Sequence, residues 1–497
     1  MLRILGSPLN LCGRVSRRAL LQAGGLALAG LSSQRGGARA ATASPAGHGR
    51  FGQAKRVILL YLYGAAAQHE LWDLKPAAPA EIRGEFRPIA SAVPGLQLCE
   101  HLPRLAKLAD RCCFIRSMTH PYNIHSAAYT LTGVDRVDIP MELGPYDARH
   151  WPFFGSVLEY LHEQRGGGAA TGVPFDIALP FPFSSRAPEF QRGGPYGGFL
   201  GRGLNPVWTE FAGQATQKID RWRGERDVPV PDPYAGIARE GKLSLASGAE
   251  LGPEITLDRL AQRRSLVAQL EQGRRALDQT LSGQVLTRAQ EQAYALIGSP
   301  TVERALDLEQ EPLERREQYG MTLFGQATLA GRRLLEAGAT VVSVFWDEYE
   351  TANSAWDTHF SHFERLKDEL LPGLDRALSA LLADLEQRGM LDDTLVMCLT
   401  EHGRTPRLSS TVRGAGREHW SGAYCNLLAG GGFARGKAVG RTDKQGAFVD
   451  EEPISPKDVL CTMYHLLGID PETTILGPQG RPLKLVSEGQ VKSVLLG

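Results

Sequence analysis

An α/β sandwich with a largely parallel central sheet is predicted by three features. Near-continuous apolar runs of strand length recur, helix-patterned stretches separate several of them, and polar residues gather just beyond their ends. The first run, Arg56 to Tyr63 (RVILLYLY), lacks the alternation of a half-exposed strand and fits a central strand covered on both faces. Similar runs fall at Cys113 to Ile115, Phe175 to Leu179, Thr340 to Trp346 (TVVSVFW), Thr394 to Leu399 (TLVMCL) and Ala423 to Ala429. The clearest helix spans Leu366 to Gly389, where Leu366, Leu370, Leu374, Leu378, Leu381 and Leu385 share one face and Gly389 offers a stop. From Ser184 to Pro253 the chain is rich in Gly, Pro and Arg, which reads as loops. A charged, helical stretch at about 256–335 reads as a helical insertion in an α/β domain spanning 56–497.

Residues 1–40 stand apart. Ser16-Arg17-Arg18, an apolar run to Leu31 and Ala38-Arg39-Ala40 read as a twin-arginine export signal, which predicts a periplasmic or extracellular protein. The run is glycine-broken and too short to span a bilayer, so no transmembrane anchor is expected. Residues 41–55 read as a flexible leader. The formal charge is zero, which argues against nucleic acid or an anionic membrane and for a small ligand. No cysteines stand in a C-x-x-C spacing, and Cys398 and Cys425 lie in apolar runs, where buried thiols are expected.

The polar residues beyond the strands carry the chemistry. Asp357, His359, Glu401, His402 and His419 are carboxylates and imidazoles delivered from separate strand ends, the donor set of divalent ions such as Zn, Mn, Mg or Ca. Two such ions about 3.5 to 4 Å apart would polarise an anionic ester and acidify water. Glu70 is the candidate upstream ligand, with Asp73 beside it; either can instead cap a turn or form an ion pair. Asp357 can equally be a helix cap and His419 a loop residue, whereas Glu-His-Gly straight after a buried strand is harder to explain by packing. Arg404 is a candidate anion clamp or a salt-bridge partner. His120, His125 and Ser126 follow another strand. The histidines suit a general acid, and Ser126 suits a nucleophile or merely a helix N-cap. His362 is held in reserve.

At these motifs the chain resembles the domain-of-unknown-function family 1501, exported bacterial proteins in the alkaline phosphatase and sulfatase superfamily. The resemblance rests on Asp73-Leu74-Lys75-Pro76, Glu100-His101-Leu102-Pro103, Leu131-Thr132-Gly133, Trp356-Asp357-Thr358-His359, Gly403-Arg404-Thr405-Pro406 and Arg417-Glu418-His419-Trp420. It implies a sulfatase-like sandwich, paired divalent metals, and hydrolysis of a phosphate or sulfate ester, free or on a glycan. Glu401-His402-Gly403 is similar to the superfamily's Asp-His-Gly metal motif, and His419 resembles its late metal histidine. Two departures matter. The sulfatase nucleophile motif would fall on Asn123 to Ala127, where neither the modified Cys or Ser nor the Arg that follows it is present, and Glu70 stands where Asp is usual. The alternative implied by the first departure is a non-catalytic exported binding or surface-assembly protein that keeps the fold and a metal. A phosphomutase-like transferase would need a Ser or Thr acceptor that the sequence does not clearly supply.

Overall fold

The apolar runs become strands of one sheet. In chain order its strands are β1 (Arg56–Leu62), β2 (Cys112–Met118), β3 (Asp176–Leu179), β4 (Val207–Ala212), β5 (Lys242–Leu245), β6 (Val341–Trp346), β7 (Thr394–Leu399), β8 (Tyr424–Ala429) and β9 (Lys437–Val439). They pair in the order β9-β2-β8-β7-β1-β6-β3-β4-β5. This computed structural model describes residues 49–135, 144–145, 147, 149–167, 172–187, 191–223, 226–246, 299–411 and 413–497. The export signal, residues 41–48 of the leader and residues 256–298 of the expected insertion lie outside the described residues.

β1 is flanked by parallel β6 and β7, with Val57 beside Val341 and Leu395, and Tyr61 beside Phe345 and Leu399. Every residue of β6, β7 and β8 is buried, as is β1 from Val57 onward, which is why these strands read as unbroken apolar runs. Only β8 and the edge strand β5 run against the rest. Because β8 is reversed, its beginning arrives where β1, β2, β6 and β7 end, with Tyr424 beside Met118. One edge therefore collects five chain segments, as expected where function gathers in such sheets.

Helix α1 (Ala127–Thr132) follows β2; α2 (Leu323–Ala337) and α3 (Leu371–Gln387) bracket β6 in sequence; α4 (Pro456–Leu466) comes last. α2 starts at Thr322, whose side chain accepts from the Gly325 amide at 3.1 Å, and ends at Gly338, whose φ is +116°. It lies on β1 and β6 and against α3. Gly331 allows the approach, since a Cβ there would sit 3.1 Å from Val342 and 3.3 Å from Ile58. α3 continues a helical run that begins at His362 and passes through a π-helical turn at Leu366–Leu370. Pro372 has no N–H to give to the carbonyl four residues back, and a local π adjustment just ahead of it relieves the lost bond. The expected helix from Leu366 to Gly389 is thus present.

The loops expected from Ser184 to Pro253 are corrected in part. β4 and β5 extend the sheet there, and Lys218–Arg223 pairs with Arg226–Pro231 as a separate antiparallel ribbon. Pro229 and Pro231 disguise a strand because proline cannot donate to a ladder, yet in a two-stranded ribbon the outer edge needs no donor. Within the expected insertion, residues Pro300–Leu306 and Leu313–Tyr319 are helical, and α2 takes up its last part from Leu323 onward. The six described cysteines are buried and free. No helix among the described residues is long and apolar enough to cross a membrane.

Candidate metal centre

Four imidazoles and two carboxylates meet at the collecting edge. The turn after β2 brings His125, the loop after β6 brings Asp357 and His359, the end of β7 brings Glu401 and His402, and the approach to β8 brings His419. The ring of His419 lies 4.5 Å from that of His125, 4.6 Å from that of His402 and 4.9 Å from that of His359. His125, His402 and His419 each offer a ligand atom within 4.8 Å of the others, and so do Asp357, His359 and His419, so the two triads share His419.

Two of the histidines, His402 and His359, are fixed through one ring nitrogen and turn the other into the cluster. His402 is fully buried; its Nδ1 lies 2.8 Å from the Gly403 carbonyl, which can only accept, so Nδ1 carries the hydrogen and Nε2 the lone pair. That Nε2 is buried with no hydrogen-bond partner. Burial, helped by the neighbouring His125, His419 and Arg404, pushes the His402 imidazole well below its usual pKa, so it stays neutral. His359 turns Nδ1 to Glu418 at 2.5 Å, leaving Nε2 facing Asp357 Oδ1 at 3.0 Å and His419 Nε2 at 3.1 Å. A metal-ligating histidine is ordinarily fixed in this way by a bond from its other nitrogen.

The carboxylates are equally constrained. Glu401 Oε1 accepts from the Gly64 amide at 2.7 Å and lies 3.1 Å from His125 Nδ1, while Oε2 is buried without a hydrogen-bond partner. Asp357 lies 3.5 Å from His125 Nε2 and pairs through Oδ1 with Arg404. Burial alone would raise the pKa of Asp357, but Arg404 and the imidazoles of His125, His359 and His419 hold it well below the usual range. His125 is the counterpart: burial works against its charge, yet hydrogen bonds to Asp357 and Glu401 raise it to about 10. Its proton occupies ground that a cation of higher charge would contest. Two orphaned buried ligand atoms, the neutral His402 imidazole, further imidazoles and carboxylates, and no cysteine in either triad fit a divalent ion of the Zn or Mn kind. Close backbone approach makes this possible. Gly64 has φ +102°, and a Cβ there would fall 2.4 Å from the Asp357 amide nitrogen.

Four expected roles are revised by these positions. Glu70 is not part of the cluster: it is buried, with Oε1 taking 2.7 and 3.2 Å bonds from Arg417 and Oε2 lying 3.2 Å from His362 Nε2. Burial would raise its pKa, but Arg417 and His362 bring it down to about 2, the mark of an ion-pair partner. Arg404, read as an anion clamp or a salt-bridge partner, is fully buried and gives its guanidinium to Asp357 and to the carbonyls of Gly64, Ala65 and Arg417, the second of those roles. Ser126 is buried, its hydroxyl directed at the Glu401 carbonyl at 3.4 Å, and it caps no helix amide with its side chain. His120 bonds that same carbonyl through Nε2 at 2.7 Å and accepts from Tyr122 through Nδ1 at 3.2 Å. Burial lowers its pKa to about 4, so it holds no spare proton at neutral pH. Of the turn's polar residues, His125 is the one in the cluster. Asp73 pairs with Lys75 and Thr442, and Asn123 accepts from Ser421.

Two contributors escaped the sequence reading. Glu418 orients His359, and Gly64 supports Glu401. The first was visible as the residue between Arg417 and His419; the second had no local signal beyond following a buried strand.

The family model described as "Protein of unknown function (DUF1501)" matches residues 54–495. No curated protein matches the chain. Among solved structures it is similar to Ps i-CgsB in complex with k-i-k-neocarrahexaose, at 11% identity and a TM-score of 0.38, covering 84% of this chain and 72% of that one. The lipoteichoic acid synthase LtaP from Listeria monocytogenes shares 12% identity at a TM-score of 0.37, over 88% and 77% of the two chains. The PsFucS1 sulfatase from Pseudoalteromonas sp. shares 11% identity at a TM-score of 0.37, over 97% and 77%.

Proposed function

This chain belongs to the DUF1501 family, and from that premise and the histidine–carboxylate cluster we propose that it is an exported metal-dependent hydrolase of a phosphate or sulfate ester. The observation that carries the reading is the buried, unpartnered Nε2 of His402 among the ligand atoms of His125 and His419. Asp357, His359, Glu401, His402 and His419 would hold the metal, with His125 completing the set in place of Glu70. A divalent ion there supplies Lewis acidity, polarising an ester oxygen and acidifying water. The chain's own part is to hold ligands in fixed tautomers and to leave one side open. The His359 and His419 side chains are 25% and 21% exposed, whereas Glu401 and His402 are sealed, so an ester would approach from the His359 side.

The buried Ser126 favours a second reading, a metal-holding binding protein without turnover, because its hydroxyl is directed at the Glu401 backbone carbonyl and not held as a nucleophile. A panel of aryl phosphate and sulfate esters, assayed with Zn, Mn, Mg and Ca, separates the two. The hydrolase reading expects turnover that needs added metal; silence across the panel from metal-loaded protein favours the binder.

Export would follow the twin-arginine route through Arg17 and Arg18. Replacing both with lysine should leave the chain in the cytoplasmic fraction. Unchanged export of that variant would remove the assignment.

A further inference from the structure

One buried carboxylate outside the cluster is tied, through Arg417 and His362, to three of the four segments that build it. Glu70 follows β1 in a short turn, Gln68–Glu70. Its Oε1 holds Arg417, two residues before His419, and Arg417 in turn donates through Nη1 to the carbonyls of Thr405 and Pro406 and through Nη2 to that of Ile82. The Arg417 amide donates to the Thr358 carbonyl at 3.3 Å, and the Arg417 carbonyl accepts from Arg404 at 3.1 Å. The other oxygen of Glu70 faces His362, whose Nδ1 lies 2.7 Å from the Thr358 hydroxyl between Asp357 and His359. The segments carrying Asp357 and His359, His402, and His419 are thus joined through Glu70 and its two partners, Arg417 and His362.

We propose that Glu70 is a positioning residue that sets the spacing of the metal-binding loops through Arg417 and His362, without itself ligating metal. The proposal rests on the metal reading above. Glu70 and Arg417 are both fully buried, so their pairing resists water and salt and keeps one geometry, which an exposed pair would not. Removing the charge at Glu70 frees Arg417 to seek other acceptors, and the loops it spans lose their common anchor. Outer partners of this kind typically change metal affinity by about 10- to 100-fold.

The experiment titrates zinc alone into the full chain against a chromophoric chelator, with circular dichroism to verify folding, for wild type, Glu70→Gln and Glu70→Asp. Glu70→Gln should bind as many ions per chain as wild type but about 10- to 100-fold more weakly. Glu70→Asp, which keeps the charge, should recover most of the affinity. Loss of one ion's stoichiometry in Glu70→Gln would make Glu70 a ligand and overturn the proposal, and wild-type affinity would overturn it as well. If Glu70→Gln does not fold, Glu70→Asp decides: a several-fold weaker affinity at unchanged stoichiometry supports the proposal, and wild-type affinity overturns it. A wild-type chain that takes up no zinc instead overturns the metal reading itself.

Discussion

His402→Ala should fold as wild type does and lose divalent metal, with affinity falling by at least about 100-fold. The two halves of that expectation have separate causes. The His402 ring contributes one hydrogen bond, to the Gly403 carbonyl, and carries an unpartnered nitrogen whose burial costs free energy, so its removal should change metal-free stability little. Metal binding suffers differently. No described residue hydrogen-bonds the buried Nε2, and its neutrality at physiological pH makes it ready to bind without losing a proton. Equilibrium dialysis with metal analysis measures the affinity, and thermal unfolding of the chelated protein measures the stability. A variant that keeps wild-type metal affinity would remove His402 from the site.

Arg404→Ala has the opposite profile: the metal-free fold should lose about 3–5 kcal/mol, the range for breaking a buried pair. The guanidinium is fully buried, where it neutralises Asp357 and satisfies carbonyls of Gly64, Ala65 and Arg417. Its loss leaves a buried carboxylate facing only imidazoles, with several carbonyl oxygens unpaired. Lysine should not restore the loss, because a single ammonium cannot reproduce a planar fork reaching several acceptors. Urea unfolding of the chelated protein tests this; a loss below about 1 kcal/mol would place the pair among the weak, solvent-screened kind.

The central strands were legible because burial on both faces writes an unbroken apolar run, as in β1, β6 and β7. Their ends then pointed to Asp357, His359, Glu401, His402 and His419, which the sheet edge brings together. What the sequence could not decide was orientation. Ser126 and His125 are neighbours on one turn, and whether the hydroxyl or the imidazole faces the cluster depends on how that turn sits against Glu401. Glu70 and Arg404 carry the charges of a ligand and a clamp, but their partners, Arg417 and Asp357, lie 347 and 47 residues away and emerge only from tertiary packing. The ribbon at Lys218–Pro231 was hidden by its prolines and charges, which suit an edge and mimic a loop.

The most direct test of the metal centre is the metal content of the purified, folded chain after exposure to zinc or manganese and removal of free ion. Mass-spectrometric metal analysis should find stoichiometric divalent ion in wild type and a marked loss in His402→Ala. A folded wild-type chain carrying no stoichiometric divalent ion under those conditions would contradict the account.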